Sequence, residues 1–289
     1  MIHTELSNII TYNPWSIEGQ TTLGELVELL PIAEFHHWPV VDDERQLIGM
    51  LCSSDLVRIF EAGATALTLS DERREERLEI IRCQHVSEVM SPRVLSIQQN
   101  ESPASALWTL LEHRVSALPV LTDSYLTALA TTSDFLREFS YGGSLAGCIS
   151  VSETMQSPSE PVESDATLDD VAMAMHFTQS DAVPIVRGGL PLGVVSRRDL
   201  GMLKLRQTLR EVFGSEALRA EPQGNNSTSI LALAASAPTI RPGERLSCAA
   251  HSMIEHRRQA IAVVNQAGRL LGVVTEEMIL RAMLDEMRS

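Results

Sequence analysis

A short apolar pattern occurs four times along the 289-residue chain. In the clearest copy, the apolar runs 183–186 and 192–195 flank the pair Gly188-Gly189, and Ser196 and Asp199 follow the second run. Short apolar runs around a glycine pair are typical of a β-hairpin. A serine followed three residues later by an acid is typical of a helix N-terminus. Each copy therefore predicts a hairpin that leads into a helix.

The four copies are regularly spaced. Their last motif positions are 55, 134, 199 and 278, which are 79, 65 and 79 residues apart. The first and third copies, and also the second and fourth, are therefore separated by 144 residues, which indicates a duplication inside a duplication. Self-similarity of this kind predicts a repeat architecture. Each unit is predicted to be a β-α-β-β-α body of roughly 50 to 60 residues, which is too small to be stable alone, so the units are expected to pair.

The repeated pattern resembles the cystathionine β-synthase (CBS) domain, two of which form a Bateman module. The stretch His113-Arg114-Val115-Ser116-Ala117-Leu118-Pro119-Val120 is similar to a segment of the γ regulatory subunit of AMP-activated protein kinase. The resemblance covers nearly the whole chain. It implies an α+β fold in which four β-α-β-β-α CBS repeats are paired into two Bateman modules.

The predicted CBS repeats span residues 1–60, 84–140, 148–202 and 230–289. Inserted helical segments are predicted at 61–83 and 203–229, and Tyr141-Gly142-Gly143-Ser144 is the predicted boundary between the modules. In the first insert, a charged run at 70–77 precedes an apolar stripe, which predicts a solvated helix. The inserts are interpreted either as connectors or as surfaces for a dimer or a protein partner.

Composition narrows the classes of function. The chain has 23 Lys and Arg against 38 Asp and Glu, a net charge of −15, which disfavours nucleic-acid backbones and anionic lipid. Neither a secretory signal nor a membrane span is recognised, so a cytoplasmic protein is expected. The four cysteines are scattered, which favours neither a zinc site nor a disulfide framework. Because no nucleotide-hydrolase, dinucleotide, metalloprotease or esterase motif occurs, we expect no enzyme, no catalytic cofactor and no metal.

The Ser-x-x-Asp motif has two interpretations. It is a capping box, which stabilises the helix and has no further role. It is also suited to ligand binding, because the helix N-terminus attracts a phosphate and the aspartate accepts hydrogen bonds from a ribose. A single copy does not distinguish between the two.

In the family that the chain resembles, nucleotides bind in clefts between paired domains, and this implies four candidate sites. The first site has an intact motif, with Arg197 expected beside the phosphate. Its predicted residues are Ser196, Arg197, Asp199, Thr239, Ile240, Arg258, Gln259 and Ala260. The second site is predicted from Thr131 and Asp134, faced by His37, Trp38 and the strand near Ser16.

The other two candidate sites depart from the motif. The third is predicted from Asp55, Ser96, Arg114, Val115, Ser116 and Ala117. Because Cys52 replaces its N-cap hydroxyl, we expect weakened phosphate binding there. The fourth carries Met278 in place of the aspartate. A thioether cannot replace a carboxylate as an acceptor for two hydroxyls, so this site is predicted to be empty or structural.

The resemblance therefore implies a non-enzymatic regulatory sensor that binds AMP, ADP or ATP and acts on a protein target. The alternative is a scaffold that docks a partner without any small molecule. The duplication is compatible with a single-chain disc of four repeats, and the inserted helices are compatible with a homodimer.

Overall fold

A computed structural model of the chain describes residues 5–29, 36–64, 71–141, 146–157, 160–213, 230–234 and 237–289. The predicted module boundary at Gly142-Gly143-Ser144 and residues 214–229 of the second predicted insert lie outside the described residues. Among the described residues, no helix combines the length and the apolar character needed to cross a bilayer.

All four repeats have the predicted β-α-β-β-α order, so the fold class is confirmed. After a short strand β1 (Thr11–Tyr12), the first repeat consists of β2 (Ile17–Glu18), α1 (Leu23–Leu29), β3 (His37–Val41), β4 (Leu47–Cys52) and α2 (Ser53–Ala64). Two helices follow it, α3 (Asp71–Cys83) and α4 (Val86–Val89). The second repeat continues with β5 (Ile97–Gln98), α5 (Pro103–Glu112), β6 (Ala117–Thr122), β7 (Tyr125–Thr131) and α6 (Thr132–Tyr141).

The second half of the chain repeats this order. A short helix α7 (Val151–Thr154) precedes the third repeat, which consists of β8 (Val162–Glu163), α8 (Leu168–Thr178), β9 (Ala182–Arg187), β10 (Leu190–Ser196) and α9 (Arg197–Phe213). The last part contains α10 (Ile230–Ala234), β11 (Thr239–Ile240), α11 (Leu246–Glu255), β12 (Ala260–Val264), β13 (Leu270–Thr275) and α12 (Glu276–Arg288). Helix α9 runs through residue 202, the predicted end of the third repeat.

In every repeat the short first strand pairs parallel with the first hairpin strand, and the hairpin itself is antiparallel. The predicted reversal between β9 and β10 has φ angles of +57° at Gly188 and +80° at Gly189. Only glycine adopts such angles at little cost. The first strand of the chain, β1, extends the sheet of the second repeat by pairing with β7. The segment before the first repeat is therefore hydrogen-bonded to the sheet of the second repeat.

The two modules pack against each other at two places. Repeats two and four share one apolar core, in which α5 packs on α12 and α6 packs on α11. Repeats one and three meet through α2 and α9, and Leu205 and Leu209 of α9 enter the core around Trp38 and Phe60. The helix starts of different repeats are thereby brought towards the centre of the molecule.

The two predicted inserts pack differently. Leu78 and Ile81 of α3, in the first insert, belong to the core of the first repeat, whereas Ile80 is exposed. The described part of the second insert, residues 203–213, continues α9, and its Leu205 and Leu209 also enter the core of the first repeat. The short helix α10, which begins just after that insert, packs in the core of the third repeat.

Candidate functional site

A cavity of about 920 Å³ lies where elements of all four repeats meet. Its walls come from the loop before β3, from the first turns of α6, α9 and α12, and from the loop before β12. The segment around Pro14 closes one side. The cavity therefore exists only because the two modules pack together.

Five arginines line this cavity in a chain whose net charge is −15: Arg137, Arg198, Arg206, Arg257 and Arg258. Three carboxylates line it as well: Asp134, Asp199 and Glu276. Guanidinium groups present several N–H donors in a geometry that suits phosphate and carboxylate oxygens. The lining of the cavity therefore has more cationic than anionic side chains, although the protein as a whole is acidic.

Asp199 forms a complete capping box at the start of α9. Its Oδ2 accepts hydrogen bonds from the Ser196 backbone N–H at 2.8 Å and from the Ser196 hydroxyl at 2.7 Å. The Asp199 backbone N–H donates in return to Ser196 Oγ at 3.2 Å. Its other oxygen, Oδ1, faces Arg258 at 3.7 Å, outside ordinary hydrogen-bond length. One carboxylate oxygen of Asp199 is thus available to a ligand in the cavity.

The same box occurs at the start of α8, away from the cavity. Asp170 Oδ2 accepts from the Thr167 backbone N–H at 2.8 Å and from its hydroxyl at 2.7 Å, and the Asp170 N–H returns a bond of 3.2 Å. These distances are those of the Ser196 and Asp199 pair. The motif alone therefore caps helices, and its position in the cavity is what separates Asp199 from an ordinary cap.

Asp134 is more fully occupied by the protein itself. Its Oδ2 accepts from the Thr131 N–H at 3.0 Å and from the Thr131 hydroxyl at 2.6 Å. Its Oδ1 accepts from Arg137 at 3.2 Å and from the hydroxyl of Thr11 at 3.3 Å. Only 6% of Asp134 is exposed. Both oxygens of this carboxylate already have donors, one of which comes from the N-terminal strand β1.

Three histidines line the cavity, and two of them, His36 and His37, lie close enough to Arg198 to interact with its charge. His37 Nε2 lies 2.9 Å from Ser116 Oγ, which joins the first repeat to the second. Burial, together with the positive charge of Arg198, lowers the pKa of His36 to about 3 and that of His37 to about 4. Both rings are therefore neutral at physiological pH.

The structure brings some of the predicted residues together and separates others. Of the first predicted set, Asp199, Arg258 and Gln259 line the cavity. Ser196, Ile240 and Ala260 are buried at 2–4% exposure and do not line the cavity, and Thr239 is exposed but does not line it either. Of the second set, Thr131, Asp134 and His37 line the cavity.

Two predicted placements are wrong. Arg197 points away from the cavity, because its Nε donates to Asp181 at 2.9 Å on the surface. Its neighbour Arg198 lines the cavity instead. Trp38 is only 1% exposed and packs in the core of the first repeat, since it follows His37 in a strand and points to the opposite face. The aromatic residue in the cavity wall is Trp15.

The third predicted site does not share the central cavity. Of its six residues, only Ser116 lines that cavity. Asp55 Oδ2 accepts from the Cys52 N–H at 2.9 Å, but the cysteine supplies no hydroxyl, and Oδ1 pairs with Arg58 at 3.4 Å. Ser96 and Arg114 are exposed, Val115 is half-buried, and Ala117 is buried. Weakened binding at Asp55 stays a prediction.

The fourth predicted site is a separate crevice of about 200 Å³ beside Met278. Thr275 Oγ1 accepts the Met278 backbone N–H at 3.3 Å, so this motif also caps its helix. Thr178 and Ser180 form the opposite wall. Among the described residues, no acidic side chain lines this crevice. Whether the crevice stays without a ligand remains a prediction.

Sequence reasoning missed several residues of the central cavity: Trp15, Arg137, Arg198, Arg206, Arg257 and Glu276. Arg137 carried a signal, because it lies one helical turn after Asp134 and pairs with it. The others depend on which side of a helix or loop faces the neighbouring repeat. Within the described part of the chain, no group of three or more His, Cys, Asp or Glu side chains could hold a metal ion.

Comparisons with known proteins agree with this architecture. The family model for the CBS domain matches residues 6–62, 86–141, 151–200 and 233–285. An uncharacterized protein of Methanocaldococcus jannaschii, MJ1225, is 23% identical over 273 residues, which are 90% of this chain and 92% of that protein.

Two solved structures share the fold across the whole chain. The crystal structure of MJ1225 has a TM-score of 0.67 at 19% identity and covers 97% of this chain and 100% of its own. An uncharacterized conserved protein from Pyrococcus horikoshii has a TM-score of 0.60 at 18% identity, with the same coverage of 97% and 100%. Because four matches to the family model account for most of its length, the chain belongs to the CBS domain family.

Proposed function

We propose that this protein is a non-enzymatic regulatory sensor that binds an adenosine-containing nucleotide, AMP, ADP or ATP, in its central cavity. Asp199 holds the ribose, and Arg198 and Arg258 hold the phosphate. Occupancy then changes how the two modules pack, and a protein target reads that change. A ligand acts in this way only if it binds two module arrangements with different affinities.

The cavity itself is the observation that carries the proposal. It combines five guanidinium groups with an aspartate whose Oδ1 has only a distant partner. Its volume of about 920 Å³ lies in the range of small-molecule sites. A nucleotide supplies both the anion that the arginines attract and the hydroxyls that Asp199 accepts.

Membership of the CBS family and the likeness to MJ1225 support the part of the proposal that gives the protein a regulatory role. MJ1225 has been proposed to be an archaeal homolog of g-AMPK. The structural match covers 97% of this chain and 100% of MJ1225, so the comparison includes all four repeats of this chain.

Isothermal titration of the purified chain with AMP, ADP, ATP, NAD and S-adenosylmethionine tests the proposal. We expect saturable binding of at least one adenine nucleotide. No heat of binding from any of the five at millimolar concentration would refute it.

A second candidate, the ligand-free scaffold, is favoured by a specific surface. Met173 and Phe177 on α8 are 54% and 76% exposed, which is unusual for large apolar side chains on one helix. Mass spectrometry of denatured, freshly purified protein separates the candidates. A copurified nucleotide supports the sensor, whereas nucleotide-free protein that also fails the titration supports the scaffold.

A further inference from the structure

Glu276 is a buried carboxylate in the wall of the central cavity, and part of its side chain has no hydrogen-bond partner in the described part of the chain. It is the first residue of α12 and is only 6% exposed. Its Oε1 has no hydrogen-bond donor within the described part of the chain. Buried carboxylates are normally paired, because removing a charge from water is costly. An orphaned oxygen at this place is therefore unexplained by the fold.

The fold does not need an acid at this position. The backbone N–H of Glu276 donates to Gln259 O at 2.7 Å, and this bond is independent of the side chain. The equivalent first residues of the other three helices, Ser53, Thr132 and Arg197, are not acidic. An acid near a helix N-terminus stabilises the helix dipole, but Glu277 on the same turn, whose side chain is 41% exposed, already provides one.

The charge of Glu276 acts on the anion-binding groups. Burial lowers the pKa of Arg198, and the negative charges of Glu276 and Asp199 oppose that effect. Glu276 and Arg198 therefore lie close enough to interact electrostatically, and both line the same cavity. An anion attracted by Arg198 meets the negative charge of Glu276 at short range.

We propose that Glu276 sets the charge preference of the cavity, disfavouring nucleotides with longer phosphate chains relative to the monophosphate. The inference rests on the proposed nucleotide site and names the residue that selects among its ligands. AMP carries roughly two negative charges and ATP roughly four, so a fixed negative charge opposes ATP more strongly. The buried position matters, because a carboxylate in water would be screened.

The test is the ratio of AMP to ATP affinity, measured by titration without divalent cations. Glu276→Gln keeps the shape and removes the charge. We expect it to strengthen ATP binding by about tenfold and AMP binding by about threefold, so that the ratio shifts about threefold towards ATP. Glu276→Asp keeps the charge and is expected to retain a ratio close to that of the wild type.

The matched control is Glu277→Gln, which removes the same charge one residue away. Glu277 is 41% exposed and pairs with Arg281 at 2.7 Å. We expect the ratio of AMP to ATP affinity in Glu277→Gln to stay within about twofold of the wild type, since a charge in contact with water is screened. Circular dichroism of each variant verifies that α12 is intact.

Three results would overturn the inference. The first is an unchanged ratio of AMP to ATP affinity in Glu276→Gln. The second is weaker AMP binding in that variant, which would mean that the carboxylate bonds to the ligand. The third is an equal shift of the ratio in Glu277→Gln. In each case the wild type still binds nucleotide, so the proposed function survives. If the wild type binds neither AMP nor ATP, the proposed function fails and the inference fails with it.

Discussion

The central cavity has two ends that carry the same motif in different states. At one end, Asp199 is 19% exposed at its side chain, and its Oδ1 faces Arg258 at 3.7 Å. At the other end, Asp134 is 6% exposed, and Thr11 and Arg137 donate to its Oδ1. An intact motif therefore does not make a binding site by itself. What counts is whether the carboxylate still has an unused acceptor facing the cavity.

The largest expected effect follows from removing the available carboxylate. Asp199→Ala should lower AMP affinity about 100-fold, because two hydrogen bonds from ligand hydroxyls to a charged acceptor are lost. Titration calorimetry measures this directly. Asp170→Ala is the matched control, since it removes a box of the same geometry from α8. Equal AMP affinities in the two variants would show that Asp199 only caps its helix.

The second effect concerns His36 and His37 in the cavity wall and depends on pH. Burial and Arg198 hold the pKa values of His36 and His37 at about 3 and 4, whereas both titrate near 6.5 in the unfolded chain. The unfolded state therefore binds more protons below pH 6.5, so stability is complete above that pH and is lost as the pH falls towards 4. We expect the free energy of unfolding to fall by about 2 kcal/mol between pH 7 and pH 4.5, after allowing for partial solvent exposure.

Urea unfolding at a series of pH values measures this dependence. The double variant His36→Asn with His37→Asn should flatten this dependence, because it removes the two rings whose pKa values are lowered on folding. An unchanged slope in the double variant would mean that the two rings are charged or accessible in the folded state.

The third effect tests the proposed phosphate contact of Arg258 at the Asp199 end of the cavity. Arg258 is 13% exposed at its side chain, lies against Asp199 and lines the cavity. Arg258→Ala should lower AMP affinity by about tenfold, because a buried charge-assisted contact with phosphate is lost. Arg269→Ala, an exposed arginine between β12 and β13, serves as the control. If both variants weaken AMP equally, the effect comes from net charge and not from the cavity.

The smallest effect is expected at the occupied end. Asp134→Ala should reduce AMP affinity only about threefold, because its oxygens already have donors within the protein. The melting temperature of this variant should fall clearly although its AMP affinity changes little, since Thr131 and Thr11 lose their acceptor. A loss of affinity as large as that of Asp199→Ala would erase the distinction between the two ends.

Much of this architecture was predictable from the residues. The spacing of 79, 65 and 79 residues predicted four repeats, and the hairpin around Gly188 and Gly189 formed as expected. Strand alternation explains the error at Trp38, because consecutive residues of a strand face opposite sides and His37 faces the cavity. That alternation was available in the sequence and could have excluded Trp38.

Other features depend on packing between repeats and left no local signal. Arg197 and Arg198 are adjacent on a helix about 100° apart, so only the position of the neighbouring repeat decides which faces the cavity. The same holds for Glu276, whose sequence context is that of an ordinary first helical residue. The meeting of repeat one with three, and of two with four, is what places these side chains together.

A crystal structure of the protein grown with AMP tests the central claim most directly. We predict a nucleotide in the central cavity, with ribose hydroxyls within hydrogen-bond distance of Asp199 Oδ1 and the phosphate against Arg198 and Arg258. AMP bound only beside Asp55 or Met278, or well-measured crystals in which the Asp199 end of the cavity holds only water at saturating AMP, would contradict it.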